Sequence, residues 1–171
     1  VLIIIFSIMS HQRNKVWEDD FSLWYDVVNK PPVKSRPLQY LSAEYVKKKN
    51  HKKALQLLDQ ALEVDSSISQ IHLNKAVIYQ RLHNFKAAIN ELSIAIHKEP
   101  DNISYYPDRA QLYMNINDFE NSKKDLLKAL ELDPNDLTSL FKLGVFYLKV
   151  KDNKEAIKVL SKVLVLKPDY I

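Results

Sequence analysis

Histidine is the side chain of this sequence best suited to bind a metal or to move a proton near neutral pH, and the chain has five. They are His11, His51, His72, His83 and His97. No two stand four residues apart, the spacing that places two ligands on one helix face, and a zinc site needs three or four converging donors. We therefore predict no metal site and no cofactor.

Glycine and cysteine are the next residues that could support chemistry. The chain has one glycine, so phosphate-binding glycine loops, nucleophile elbows and dinucleotide fingerprints cannot be formed. It has no cysteine, which excludes disulfides, thiolate zinc sites and cysteine nucleophiles. We predict that this segment is not an enzyme, while a longer protein that contained it could still be one.

Charge argues against nucleic acid as a partner. Lys and Arg together number 25 against 21 acidic residues, a formal net charge of +4. Only four of these cations are arginine, the residue that makes bidentate contacts with phosphates and bases. We predict no nucleic-acid binding.

The elements that position the side chains follow a period of 34 residues. Four rows starting at Ser35, Ser69, Ile103 and Leu137 align residues of one type in each column. One column contains only tyrosine: Tyr45, Tyr79, Tyr113 and Tyr147. A second contains only leucine: Leu58, Leu92, Leu126 and Leu160. A third contains small residues: Ser42, Ala76, Ala110 and Gly144. Recurring small residues indicate where two helices approach closely.

Each row is predicted to contain two short helices, because its apolar residues recur at i, i+4, i+7 and i+8. A turn residue that tolerates left-handed backbone and bonds to nearby main chain separates the two helices: Asn50, Asn84, Asp118 or Asp152. Each row closes on Ser66, Pro100, Pro134 or Pro168. A proline there cannot continue the preceding helix.

At these columns the chain resembles the tetratricopeptide repeat family, whose unit is a 34-residue helix-turn-helix. The resemblance implies an all-α fold, an α-solenoid (right-handed superhelix) of four repeats at residues 35–68, 69–102, 103–136 and 137–170. Two cations depart from the pattern, since Lys75 and Arg109 stand where Leu41 and Leu143 are apolar.

The register extends towards the N-terminus. Residues 11–34 are predicted to form a degenerate half-repeat or linker helix, with the helix over Lys15–Val28. Asp20 occupies a position where the family has alanine, which predicts looser packing or the end of the stack.

The resemblance also implies a binding surface, because the first helix of each repeat lines a concave face in this family. The predicted partner-binding residues are Gln39, Leu73, Asn74, Val77, Arg81, Gln111, Asn115, Phe141, Lys142 and Lys149, with Gln80 and Asp108 also on the lining. Amide side chains can bond the main chain of an extended peptide, while apolar residues supply pockets. We expect a protein–protein interaction scaffold that binds a partner protein or peptide; a surface that binds nothing tightly is the alternative.

The first ten residues are strongly apolar, with Val1–Met9 interrupted only by Ser7. Nine residues at 1.5 Å rise cover about half of the roughly 30 Å hydrocarbon core. We expect residues 1–10 to be the end of a longer transmembrane helix that attaches the protein to a membrane. A buried soluble helix and the end of a signal peptide are the alternatives.

The stretch after this segment, from Arg13-Asn14 and Trp17 through Leu23-Trp24 to Lys30-Pro31-Pro32, resembles a junction in polytopic membrane glycosyltransferases, including O-mannosyltransferase-like proteins. The resemblance implies a second hypothesis, a C-terminal domain that positions the acceptor protein outside the cytoplasm. Arg13 and Lys15 beside the apolar run favour the opposite, cytoplasmic side.

Three further segments of the sequence each allow two interpretations. The lysine-rich run over residues 47–53 could contact anionic lipid headgroups or simply be a solvated turn. Asn102-Ile103-Ser104 fits the N-glycosylation pattern, which also arises by chance. The final helix carries more apolar residues than one packing stripe needs, which predicts either a following repeat or self-association through that helix.

Overall fold

The computed structural model describes residues 19–169, which contain nine α-helices and no strand. The helices are α1 (Asp20–Val28), α2 (Ser35–Lys47), α3 (His51–Val64), α4 (Ser69–Arg81), α5 (Phe85–Lys98), α6 (Tyr105–Asn115), α7 (Phe119–Leu132), α8 (Leu137–Lys149) and α9 (Asn153–Leu166). They pair as helix-turn-helix units, with α2 against α3, α6 against α7 and α8 against α9. The predicted all-α repeat fold is confirmed.

The chain divides into two compact units, the first ending at Ile71 and the second beginning at His72. In the first unit α1 packs on α2. The Trp24 ring stacks on Tyr40 with centroids 4.5 Å apart, and Phe21 meets Tyr45 edge-on at 5.2 Å. Helix α1 begins at Asp20, because Asp19 has extended backbone and caps it. The predicted start at Lys15 lies outside the described residues.

In the second unit successive repeats also pack on one another. Helix α5 packs on α6, α7 packs on α8, and α6 contacts α8 directly. The small-residue column lies in the core: Ala76 and Ala110 are buried, and a Cβ on Gly144 would collide with the Leu160 side chain of α9, the other helix of its own repeat. The expectation that small columns mark close helix contacts is therefore met.

The turn between the two helices of each repeat has one construction throughout. The amide of Asn50 donates to the Tyr45 carbonyl at 2.8 Å and the amide of Lys49 donates to Val46 at 2.9 Å, a Schellman motif. The Asn50 side chain then accepts from the Lys53 amide and caps the next helix. The same pattern recurs at Asn84, Asp118 and Asp152.

The left-handed residue of each turn immediately precedes the Asn and Asp column. Positive φ occurs at Lys49, His83, Asn117 and Lys151, with φ between 56° and 63°. The Asn and Asp column lies in the turn and its side chains bond to nearby main chain, as predicted, by capping the next helix. Three of these four residues are neither glycine nor asparagine. For such residues the left-handed backbone conformation costs about 1–2 kcal/mol.

We expect His83→Gly and Lys151→Gly each to raise the free energy of unfolding by about 0.5 to 1 kcal/mol. Glycine removes the left-handed penalty but gains backbone entropy in the unfolded state. Urea denaturation measures the change. Asn117→Gly is the control and should gain less, because asparagine already tolerates this conformation. A loss of stability in both test variants would contradict the assigned turn geometry.

Two predictions concern the chain ends. Within residues 19–169 no helix is both long and apolar enough to cross a membrane. The apolar segment of residues 1–10 lies outside the described residues, so the transmembrane prediction stays a prediction. At the other end α9 exposes apolar side chains, with Ile157 68% and Val165 82% exposed. Self-association through this helix also stays a prediction.

Candidate functional site

A pocket lies between α4 and α6 in the second unit, with a cavity volume of about 100 Å³. Its floor is apolar, formed by Ala76, Leu92 and Leu112, each at most 2% exposed. Leu73 and Val77 of α4 form one wall. We call this the α4–α6 pocket. Its size suits one apolar side chain rather than a cofactor.

The rim of the α4–α6 pocket is polar. Gln80 and Gln111 stand on it, and Lys142 of α8 reaches across to α6. The Lys142 ammonium donates to Asp108 Oδ1 at 2.9 Å and to the Pro107 carbonyl at 3.1 Å. This ion pair compensates the charge of Lys142 and fixes the side chain on the rim.

An apolar stripe runs along the neighbouring helix α8. Phe141, Val145 and Leu148 recur at i, i+4 and i+7, so they share one helix face. They are 36%, 37% and 50% exposed. The stripe borders Lys142 and Lys149, which both contact α6. The exposed apolar surface of α8 therefore lies next to Lys142, the residue of α8 that forms part of the pocket rim.

Lys149 is engaged within the fold. Its ammonium donates to the Met114 carbonyl at 2.7 Å, in the last turn of α6, and lies 5.4 Å from the Phe119 ring centroid. A cation at a helix C-terminus is favourable there. Beside it Gln111 donates to Asn115 at 3.3 Å. Lys149 thus positions α8 on α6 instead of presenting an uncommitted cation to a ligand.

The structure brings together part of the predicted set. Leu73, Val77, Gln111 and Lys142 meet in the α4–α6 pocket, as do Gln80 and Asp108. Phe141 is exposed on α8, and Asn115 bonds to Gln111. Asn74 is half-buried on α4, and Arg81 is exposed at the C-terminal end of α4. Gln39 belongs to the first unit, where its amide donates to Ser35 at 3.4 Å.

Two buried polar clusters were not predicted from the sequence, each centred on an ion pair between the two helices of one repeat. In the third repeat Arg109 donates to both carboxylate oxygens of Asp125, at 2.8 and 2.7 Å, and to Ser93 at 2.9 Å. In the second repeat Glu91 lies 2.8 Å from the Lys75 ammonium and 2.7 Å from His72 Nδ1. The two cations that depart from the repeat pattern are therefore paired.

The sequence held a signal for these pairs. Positions 16 residues apart change together: Leu41 with Leu57, Lys75 with Glu91, Arg109 with Asp125, and Leu143 with Val159. Leu41 and Leu57 are buried, and Leu143 and Val159 belong to one apolar cluster. The same contact between helices is thus apolar in the outer repeats and ionic in the inner two.

The surroundings of Arg109 favour the charged state of its guanidinium. Burial acts to lower the pKa of Arg109, but the hydrogen bonds and charge of Asp125 outweigh it and raise that pKa above its usual value. Burial also raises the pKa of Tyr113 on the same helix, against the opposing charge of Arg109. These groups stay in one protonation state near neutral pH, which suits a structural role.

A larger hollow runs along α7, lined by Tyr106, Leu127 and charged side chains. Several of those charges are already paired, Arg109 with Asp125 and Lys128 with Glu131. We therefore prefer the α4–α6 pocket as the candidate site. In the part of the chain that the structure describes, no group of three or more His, Asp or Glu residues could hold a metal ion.

Residues 103–136, the third predicted repeat, match a model of the tetratricopeptide repeat, and residues 126–158 match a second model of the same repeat. No curated protein matches the sequence.

Solved structures share the fold at low identity. MamA from Desulfovibrio magneticus RS-1 is 17% identical, with a TM-score of 0.77 over 97% of this chain and 95% of that one. YrrB, described as a TPR protein with an unusual peptide-binding site, is 17% identical, with a TM-score of 0.71 over 98% and 86%. PilF from Pseudomonas aeruginosa is 24% identical, with a TM-score of 0.69 over 79% and 62%.

Proposed function

We propose that this chain, which carries tetratricopeptide repeats, is a non-catalytic scaffold that binds a partner protein through an extended segment at the α4–α6 pocket and the apolar stripe of α8. The observation that carries the proposal is the pocket itself. An apolar floor lies below a rim with two glutamine amides and a fixed ion pair. A peptide could insert one apolar side chain and bond its main chain to Gln80 and Gln111.

The exposed apolar side chains support the same proposal. Val77 in the pocket is 40% exposed, and the stripe on α8 adds three more half-exposed apolar residues. Exposed apolar surface beside a polar rim is typical of an interaction site. YrrB, which shares the fold, is described as having a peptide-binding site, which makes a peptide the first ligand class to test.

The second hypothesis is an acceptor-positioning domain of a membrane glycosyltransferase, located outside the cytoplasm. Such a domain would use the same pocket for an acceptor protein. The two hypotheses differ in the sequence that precedes Val1 in the gene, and many further apolar spans of about 20 residues would favour the second.

Phage-displayed random peptides panned on the full chain test the proposed site. We expect recovered peptides to bind at the α4–α6 pocket, so that Val77→Glu weakens their affinity by about tenfold or more. The substitution would place an unpaired carboxylate against the buried apolar floor of the complex. Fluorescence anisotropy with a labelled recovered peptide measures the dissociation constant.

Leu127→Glu is the matched control, because Leu127 is 47% exposed on α7 and does not line the α4–α6 pocket. It should bind the peptide as the wild type does. Equal weakening by both variants, or recovery of no binding peptide, would reject the pocket as the site.

A further inference from the structure

A strongly basic turn joins α2 to α3 in the first unit. It contains five lysines within residues 47–53, at Lys47, Lys48, Lys49, Lys52 and Lys53. All five are exposed, and no acidic residue occurs in the sequence from 45 to 58. We call residues 47–53 the basic turn. Such a concentration of one charge repels itself unless something outside the turn compensates it.

Within residues 19–169 the fold compensates the charge of only two of the five lysines. Lys47 pairs with Glu44 at 2.5 Å and is also near Asp20, while the Lys48 ammonium lies 3.3 Å from the Phe21 ring centroid and close to Asp19. Among the described residues no carboxylate pairs with the remaining three lysines. Their charge is left available to a partner.

The remaining three lysines stand where the backbone disfavours them. Lys49 has the left-handed φ of 59°. Lys52 and Lys53 occupy the first turn of α3, where the partial positive charge of the helix N-terminus opposes cations. The first turns of α5 and α9 hold one lysine each, Lys86 and Lys154, and α7 and α9 place an acid there, Glu120 and Glu155. Folding alone therefore does not account for the density of lysine in this turn, where α3 alone has two in its first turn.

We propose that the basic turn is an electrostatic docking surface for an anionic phospholipid membrane. Lysine without arginine suits a diffuse layer of charge better than bidentate recognition of individual phosphates or bases. Aromatic side chains accompany it, since Phe21 lies under Lys48 and stacks on Tyr25, which is 51% exposed. Tyrosine beside basic residues is favoured at the headgroup level of a membrane.

Co-sedimentation of the full chain with lipid vesicles tests this surface. One set of vesicles is pure phosphatidylcholine, and the other contains about 30% phosphatidylserine. The measured quantity is the ratio of the two partition coefficients, because apolar contributions, including any from Val1–Met9, affect both sets of vesicles alike. We expect the wild type to prefer the anionic vesicles and the preference to fall as salt is added.

The triple variant Lys49→Gln, Lys52→Gln, Lys53→Gln should lose most of this preference. At about fivefold per lysine, the ratio is expected to fall by roughly 100-fold at low salt. The matched control replaces Lys123, Lys124 and Lys128 of α7 by glutamine, the same change in net charge, and should keep the wild-type ratio.

Equal losses in the two triple variants would overturn the proposal, because net charge alone would then explain the preference. It would also be overturned if the wild type did not distinguish the two vesicle types, or if it bound polyglutamate or duplex DNA more tightly than the anionic vesicles and lost that binding in the same triple variant.

Discussion

Asp125→Leu alone is expected to lower the free energy of unfolding by about 3 to 5 kcal/mol, because it leaves the Arg109 guanidinium in a largely buried site without its carboxylate. Asp125 is 5% exposed and accepts two hydrogen bonds from Arg109. Guanidinium chloride denaturation monitored by circular dichroism measures the loss.

The double variant Arg109→Leu, Asp125→Leu is the control for this result. It copies the apolar pair of the first repeat, Leu41 and Leu57. An apolar pair of similar volume often matches or exceeds the stability of a buried ion pair, so the double variant should lie within about 1 kcal/mol of the wild type or above it. If the double variant loses as much stability as Arg109→Leu and Asp125→Leu lose in sum when made separately, the ion pair is not interchangeable with the apolar contact of the first repeat.

Leu92→Ala is the second large expected effect, a loss of about 2 to 5 kcal/mol. Leu92 is 1% exposed and packs in one core cluster with Ala76, Ala88, Ala95, Tyr105 and Leu112. Truncating it removes buried apolar surface and leaves a cavity between helices that are fixed by their other contacts. Thermal unfolding should show a clearly lower melting temperature.

Leu82→Ala serves as the control, because Leu82 is 47% exposed just after α4. It should change stability by about 0.5 kcal/mol or less. An unaltered melting temperature for Leu92→Ala would contradict the 34-residue register that places the leucine column in the core.

The helix pattern was predictable because it repeats. Four aligned copies show which positions stay apolar, so Leu58, Leu92 and Leu126 could be assigned to the core, and they are all at most 1% exposed. The turn was predictable in place but not in detail. Asparagine and aspartate both tolerate left-handed backbone and cap helices, and only the structure shows that Asn50 caps while Lys49 is left-handed.

The site was less predictable, because side-chain partners depend on reach as well as on helix face. Lys142 and Lys149 were placed correctly on first helices, yet their flexible side chains extend to Asp108 and to the Met114 carbonyl of the preceding repeat. The sequence of one repeat does not indicate such contacts with the preceding repeat. The partner of Arg109 could have been found, since the residue 16 positions later changes with it in every row.

Methyl NMR of the full chain, titrated with a peptide recovered by phage display, tests the proposed binding site most directly. The result expected is that the largest shifts occur at Leu73 and Val77 in the α4–α6 pocket and at Val145 in the stripe of α8, while Leu127 on α7 and Ile157 on α9 stay unchanged. Shifts concentrated at Leu127 or Ile157, with the pocket methyls unchanged, would contradict the proposed site.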